Sequence, residues 1–230
     1  MKNSNDECLE VFTRRQVEGA TLWLHGQGVS ADDLTPILKN LTRSRELGLH
    51  YLAPNAPVRN LSVNNGRPTR AWFDMVENAE SDDPICEGLE ESCDSISRLL
   101  DEEATRGMPS RQTILAGFSQ GGTLALHAGL QYSEPLAGIL VLSSALIAAD
   151  KIPKASDSAN GETPILMIHG EEDDVVPLSV ASEGRDYLRS LGYQVDWKTL
   201  PLGHTVSMEE VELMDDWIYS RIAESETAST

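Results

Sequence analysis

A serine between two glycines stands where an apolar, strand-like run gives way to a segment of small residues. Residues 117–121 read G-F-S-Q-G, and the apolar run 113–116 leads into them. The glycines remove Cβ atoms that would clash in a sharp strand-to-helix turn, and such a turn exposes the serine hydroxyl beside free backbone N–H groups. The pattern predicts that Ser119 is a nucleophile. A tight turn with a surface serine is the alternative that the pentapeptide alone leaves open.

A nucleophilic serine needs a base, and the base needs an orienting carboxylate. On a strand–turn–helix of this kind the three residues follow in the chain order Ser, Asp, His. A strand-like segment ends in the acidic run 171–174, and carboxylates there lie at the edge of the sheet where α/β proteins bind ligands. His204 follows in a loop, just before a capping box at 207–210 that opens a final helix. We predict that His204 is the general base; Asp173 and Asp174 both remain candidates for the acid.

These segments resemble those of the phospholipase/carboxylesterase group of α/β hydrolases, which includes acyl-protein thioesterases and small bacterial carboxylesterases. The resemblance covers nearly the whole chain. It rests on L-H-G-Q-G at 24–28, A-P-N-A-P at 53–57, W-F-D at 72–74, G-F-S-Q-G-G at 117–122, H-G-E-E-D-D-V-V-P at 169–177 and G-H at 203–204.

The resemblance implies a catalytic triad of Ser119, Asp173 and His204. It also implies an oxyanion hole formed by the backbone N–H groups of Gln27 and Gln120. Because these donors belong to the backbone, the two glutamines are assigned by their position and not by the chemistry of their side chains.

The implied fold is that of an α/β hydrolase: a mostly parallel twisted sheet with helices on both faces and no large cap domain. Alternating apolar runs and helical patterns favour the same class. A helix is predicted to begin near Pro84 and another, over 178–191, to end at Gly192. We expect one domain over residues 1–230, with a frayed tail over 224–230. The predicted strands are 21–25, 49–52, 113–118, 138–142, 164–169 and 194–200.

A long segment without regular period, residues 54–71, is rich in Pro, Asn and Gly, which is typical of a functional loop. It ends at Trp72 and Phe73. In the resembling family this region helps to wall the acyl pocket, so both aromatic residues are predicted to contact the substrate, with core packing as the alternative. Arg70 and Gln27 depart from the pattern of many thioesterase-type relatives, which leaves the acyl length and the leaving group open.

The other histidines suit structural roles. His25 and His169 each precede a glycine at the end of a predicted strand, so we expect their imidazoles to bond nearby backbone beneath the active-site loops. His50 and His127 are expected to pack or to lie on the surface. The acidic run 171–174 could be considered as a metal site, but no further oxygen ligands follow at an organised spacing. We expect no metal and no cofactor.

Composition restricts the partners and the compartment. A formal net charge of −19 over 230 residues argues against nucleic acid and against stable association with an anionic membrane, because both would be repelled. Three cysteines and a polar N-terminal segment without an apolar core favour reduced thiols and a cytoplasmic protein. The sequence leaves open whether the protein forms a homodimer.

The function predicted from the residues and the resemblance is that of a serine hydrolase. It would cleave carboxylic esters of short to medium acyl chains through an acyl-enzyme. Its expected partner is a small-molecule ester or thioester substrate. The alternative within hydrolases is an acyl-protein thioesterase or a lysophospholipase. The alternative from another class is a ligand-binding protein that kept the fold without turnover, since a fold alone does not prove a function.

Overall fold

A computed structural model describes residues 8–79 and 84–227 of the chain. Its strands and helices alternate through most of the sequence. The strands are β1 (Cys8–Phe12), β2 (Gly19–Leu24), β3 (Leu49–Pro54), β4 (Val58–Leu61), β5 (Arg67–Arg70), β6 (Asp74–Val76), β7 (Ile85–Glu87), β8 (Thr113–Phe118), β9 (Gly138–Leu142), β10 (Ile165–Gly170) and β11 (Val195–Leu200). The helices are α1 (Thr35–Asn40), α2 (Leu89–Thr105), α3 (Gln120–Gln131), α4 (Leu178–Ser190) and α5 (Met208–Thr227).

One large sheet has the strand order β1-β3-β2-β8-β9-β10-β11. β1 pairs antiparallel with β3 at one edge, and the other neighbours pair in parallel. Strands β2, β3, β9 and β10 are buried along their whole length, which explains their continuous apolar sequences, since a parallel sheet is covered on both faces. Each of the six predicted strands corresponds to a strand of this sheet, with bounds that differ by at most two residues at either end. The predicted α/β-hydrolase class is confirmed.

The helices cover both faces of the sheet. Leu100 of α2, Leu124 of α3 and Leu188 of α4 pack into one apolar cluster, whereas Leu38 of α1 and Met214 of α5 pack into the cluster on the opposite face. This arrangement leaves the carboxyl ends of the parallel strands as the edge where loops from β2, β8, β10 and β11 meet. Among the described residues, no helix is both long and apolar enough to cross a membrane.

The prediction of a helix beginning near Pro84 is wrong. Residues Ile85–Glu87 instead form β7, which pairs antiparallel with β6, and the Ile85 side chain is 50% exposed. The helix begins at Leu89, after Gly88, whose φ of 85° lies in the left-handed region. A side chain at that position would lie 2.6 Å from the Arg59 guanidinium. Pro84 and the acidic residues before it match the pattern of a first helical turn, but the helix starts after a glycine with positive φ. Residues 80–83 lie outside the described part.

Two helix ends bear on the other predictions. α4 ends before Gly192, whose φ of 98° and N–H bond to the Arg189 carbonyl are those expected of a glycine that terminates a helix. α5 continues through Glu224 to Thr227, so four residues of the predicted frayed tail are helical. The remaining three, 228–230, lie outside the described residues.

Candidate active site

The predicted nucleophile lies in the turn between β8 and α3. Ser119 has φ 54° and ψ −122°, a backbone conformation that side-chain-bearing residues seldom adopt and that costs on the order of 1–3 kcal/mol. A Cβ on Gly117 would lie 2.1 Å from the Gly121 carbonyl oxygen, and a Cβ on Gly121 would lie 2.1 Å from the Leu24 carbonyl oxygen. The two glycines are therefore required because backbone, and not a movable side chain, occupies the space.

The imidazole of His204 lies between the two other predicted triad residues. Its Nδ1 is 2.8 Å from Oδ2 of Asp173, and its Nε2 is 3.0 Å from Oγ of Ser119. An ionised carboxylate can only accept, so Nδ1 carries the proton, and Nε2 is left with a lone pair for the serine hydroxyl. Three residues separated by 54 and 31 positions thus form one continuous hydrogen-bonded chain, the arrangement that activates a serine.

The carboxylate of Asp173 is buried and fully bonded. Besides His204 on Oδ2, its Oδ1 accepts hydrogen bonds from the backbone N–H groups of Val175 and Val176, at 3.0 and 2.8 Å. Burial alone would raise the pKa of Asp173, but the bonds from His204 and from the two N–H groups outweigh it and lower the pKa. Asp174, the other candidate for the acid, is exposed and takes no part in this network.

His169 lies beneath this turn. Its Nε2 is 2.8 Å from the Val176 carbonyl, which can only accept, so Nε2–H is the donor. The same nitrogen is 3.6 Å from Oδ2 of Asp173, too far for a hydrogen bond. The residue therefore holds the backbone that in turn holds Asp173, as its predicted structural role requires.

The two predicted oxyanion donors belong to segments that meet beside Ser119. Gln120 is the first residue of that helix and Gln27 follows β2, and within the described residues neither backbone N–H donates to an acceptor. Such unpaired amides beside a nucleophile are the groups that bind an oxyanion.

The side chain of Gln120 has a structural role that the sequence did not reveal. Its Oε1 accepts from the Trp72 backbone N–H at 2.8 Å, and its Nε2 donates to the Phe73 carbonyl at 2.9 Å and to Oε1 of Gln27 at 3.3 Å. An amide that carries both donor and acceptor can link two backbone segments at once. Nothing in the spacing of the residues predicts this partner, because it depends on the path of the loop 54–71.

The predicted substrate-contacting aromatic residues are buried. Trp72 is 3% exposed and Phe73 is 1% exposed, and both belong to the core cluster on the α2 and α3 face. The indole Nε1 of Trp72 donates to the His25 carbonyl at 2.8 Å, so this residue supports the loop after β2. Trp72 also lines a broad groove along α2 that none of the triad residues lines. Contact with substrate stays a prediction for both residues.

Nearly all of the chain matches one protein family. Residues 7–222 match the family described as phospholipase/carboxylesterase. The chain belongs to the phospholipase/carboxylesterase family. Within that family, acyl-protein thioesterase 1 of Gibberella zeae is 33% identical over 224 residues, covering 92% of this chain and 94% of the relative. Carboxylesterase SOBER1 of Arabidopsis thaliana is 31% identical over 204 residues, covering 87% of this chain and 90% of the relative.

Solved structures agree with this membership in the phospholipase/carboxylesterase family. The crystal structure of Arabidopsis thaliana SOBER1 superposes with a TM-score of 0.79 at 31% identity, covering 89% of this chain and 99% of that one. The crystal structure of Zea mays acyl-protein thioesterase 2 gives a TM-score of 0.81 at 25% identity, covering 94% and 98%. The present chain is therefore an enzyme, a hydrolase with the α/β-hydrolase fold. The predicted family is confirmed.

Proposed function

We propose that this chain hydrolyses carboxylic esters of short to medium acyl length through a covalent acyl-enzyme. The observation that carries the proposal is the position of the His204 imidazole, which is hydrogen-bonded to Asp173 on one side and to Ser119 on the other. A binding protein without turnover has no need of a proton acceptor on its serine, whereas a serine nucleophile requires one.

The chemistry then follows from the three side chains. As Oγ of Ser119 attacks the carbonyl carbon, its proton passes to Nε2 of His204, and the resulting imidazolium is stabilised by the ionised Asp173. His204 returns the proton to the departing alkoxide, and the alcohol leaves an ester on Ser119. A water molecule then attacks that ester while Nε2 of His204 takes its proton. The bond between the acyl carbon and Oγ of Ser119 breaks, His204 returns the proton to Oγ, and the carboxylic acid leaves.

The negative charge that develops on the substrate oxygen needs donors fixed in advance. The N–H groups of Gln27 and Gln120 are proposed for this role because Gln120 directly follows Ser119 and the loop that carries Gln27 packs against Ser119. Neither N–H group has another acceptor among the described residues. One such donor is typically worth about 3 kcal/mol of transition-state stabilisation.

Thioester hydrolysis is the second candidate, favoured by the relative that is named an acyl-protein thioesterase. The same serine and donors serve both reactions, because a thiolate is a better leaving group than an alkoxide and attack passes through the same kind of tetrahedral oxyanion. p-Nitrophenyl esters of increasing chain length, acyl-CoA and a palmitoylated peptide, compared by kcat/KM, separate the two activities. A kcat/KM that rises with acyl length or with a peptide leaving group contradicts the short-chain ester assignment.

The deciding experiment is Ser119→Ala. We expect a fall in kcat on the order of 10⁶ for p-nitrophenyl acetate, with an unchanged circular dichroism spectrum, because the hydroxyl is the attacking group. A fluorophosphonate probe should label the wild type on Ser119 and leave this variant unlabelled. A folded Ser119→Ala protein that retains turnover rules the mechanism out.

A further inference from the structure

The imidazole of His25, which the chemistry above does not use, makes two hydrogen bonds whose directions are fixed. The residue follows β2 and is fully buried. The backbone N–H of Ala56 lies 3.0 Å from Nε2, and because an amide nitrogen can only donate, Nε2 carries no proton. The ring proton is therefore on Nδ1, which lies 2.7 Å from the Gly26 carbonyl oxygen and donates to it.

The protonation state of this ring follows from the same two bonds. A charged imidazole would bring an N–H at Nε2 against the N–H of Ala56, and burial further lowers the pKa of His25. His25 is held as one neutral tautomer, which is the state needed of a ring that accepts on one side and donates on the other.

The Gly26 carbonyl belongs to the same peptide unit as the N–H of Gln27. The described chain has no cis peptide, and in a trans peptide the carbonyl oxygen and the N–H point in opposite directions. A bond that fixes the Gly26 oxygen therefore also fixes the direction of the Gln27 N–H. A carbonyl that accepts a hydrogen bond is also polarised, which strengthens the donor at the other end of the peptide.

The loop concerned, residues 25–28, lies against the nucleophile. A Cβ built on Gly26 would be 3.4 Å from the Cβ of Ser119. Two further bonds tether the loop without touching the Gly26–Gln27 peptide: Trp72 Nε1 donates to the His25 carbonyl, and the Gly28 N–H donates to the Arg70 carbonyl at 2.8 Å. The Nδ1–H of His25 is the bond that acts on that peptide itself.

We propose that His25 is a positioning residue for hydrolysis: its neutral ring, protonated on Nδ1, sets the Gly26–Gln27 peptide so that the Gln27 N–H is aimed at the oxyanion. This inference rests on the proposed function, since it needs the oxyanion that attack by Ser119 creates. It assigns to a side chain the control of a backbone donor that no side-chain mutation can delete.

Two substitutions divide the bonds of His25 between them. In His25→Gln, the amide group reaches the place of Nε2 and can still accept from Ala56, but no donor remains near the Gly26 carbonyl. In His25→Asn, the amide group takes the place of Nδ1 and can donate to Gly26, while Ala56 loses its acceptor. We expect kcat to fall about 10- to 100-fold in His25→Gln, because deletion of a whole oxyanion donor costs about 10²- to 10³-fold and this variant only misdirects one. KM should stay within about twofold of the wild-type value. We expect His25→Asn to recover most of that loss.

A ligand that forms an oxyanion separates positioning from general stability. An alkyl trifluoromethyl ketone adds to Oγ of Ser119 as a charged hemiketal, so its inhibition constant should rise in His25→Gln by the same factor as kcat falls. Affinity for the carboxylic acid product should stay unchanged. His127→Asn is the control, because this buried histidine also donates to a carbonyl, that of Ile147 at 2.7 Å, but has no bond to the loop 25–28. It should lower the unfolding midpoint and leave kcat as it is.

An unchanged kcat in folded His25→Gln overturns the inference. An equal fall of kcat in His25→Gln and His25→Asn that follows their loss of stability also overturns it. If neither variant folds, the ¹⁵N shifts of His25 in the wild type decide: the inference requires a neutral ring protonated on Nδ1, and protonation on Nε2 overturns it. Retained turnover in Ser119→Ala would instead overturn the proposed function, so the two failures are distinguishable.

Discussion

The two halves of the site are held in different ways. On the acid side, in the turn 171–176 after β10, the predicted functional group is the side chain of Asp173, which three hydrogen bonds hold in addition to the support from His169. On the donor side, in the loop 25–28 after β2, the predicted functional group is a backbone N–H whose peptide is held by one bond from His25. A functional side chain can be held by several hydrogen bonds and removed by mutating its own residue. A backbone N–H stays in any such variant, so it can be misdirected only by mutating the residue that holds its peptide.

The largest effect that tests this comparison is expected from Asp173→Asn. The amide would offer an N–H to His204 in place of an acceptor and so favour the wrong tautomer, and we expect kcat to fall on the order of 10⁴. The matched control is Asp174→Asn, which changes an exposed neighbour of the same type and should alter kcat less than about twofold. Similar losses in both variants would remove the assignment of Asp173, as measured by steady-state hydrolysis of one p-nitrophenyl ester.

A smaller effect is expected from His169→Asn. The shorter amide cannot reach the Val176 carbonyl, but Asp173 keeps its bonds to His204 and to two N–H groups. The loss of one neutral hydrogen bond is worth about 1 kcal/mol, so kcat should fall about fivefold at most. His169→Gln, whose amide can reach the place of Nε2, serves as the control. A loss greater than that of His25→Gln would reverse the comparison, because the acid side would then depend more on its histidine than the donor side does.

The smallest effect on kcat is expected from Glu210→Gln. This variant should instead change how the free energy of unfolding depends on pH. This carboxylate in the first turn of α5 is fully buried, and neither of its oxygens has a hydrogen-bond partner within the described chain. Its backbone N–H donates to Oγ of Ser207 at 3.1 Å, so one half of the predicted capping box is formed. Burial raises the pKa of Glu210 from 4.5 to about 7, opposite in direction to the effect on the well-bonded Asp173.

The sign of the pH dependence follows from these shifts. Between the unfolded value of 4.5 and the folded value of about 7, the folded protein binds more protons at Glu210 than the unfolded chain does. The free energy of unfolding should therefore fall as pH rises through this window, by no more than about 3 kcal/mol, and then level off. The contribution of Asp173 has the opposite sign, since it is present above the ordinary pKa and is lost as pH falls through the lowered one. Urea unfolding at pH 5, 6, 7 and 8 should show the fall in the wild type and not in Glu210→Gln; equal slopes would contradict it.

The sequence predicted the elements whose patterns are set by burial. β8 and β9 have the predicted bounds, because strands of a parallel sheet buried on both faces have continuous apolar sequences. The sequence does not predict β1, because none of its residues is fully buried: an edge strand of mixed polarity lacks that signal. The region around β7 was assigned to a helix because Pro84 matches a first helical turn, while the pairing of Ile85–Glu87 with β6 depends on residues that are distant until the chain folds.

The site shows the same division. The order of Ser119, Asp173 and His204 along the chain is a local signal, since each follows a strand that can be recognised by itself. The choice between Asp173 and Asp174 was open because adjacent residues share every sequence feature, and it is the turn that buries one carboxylate and exposes the other. The network of the Gln120 side chain could not be predicted, since its partners at Trp72 and Phe73 reach it only through the path of the preceding loop.

The close approach of Gly121 to β2 affects how the site moves. The α-carbon of this glycine is so near the carbonyl oxygens of Leu24 and His25 that no methyl group fits between them. The start of α3 and the end of β2 are therefore in direct backbone contact. The proposed oxyanion donor Gln120 lies on the α3 side of this contact, and Gln27 lies on the β2 side. Thermal displacement of either segment must carry the other along, so the spacing between the donors is preserved while their common position fluctuates.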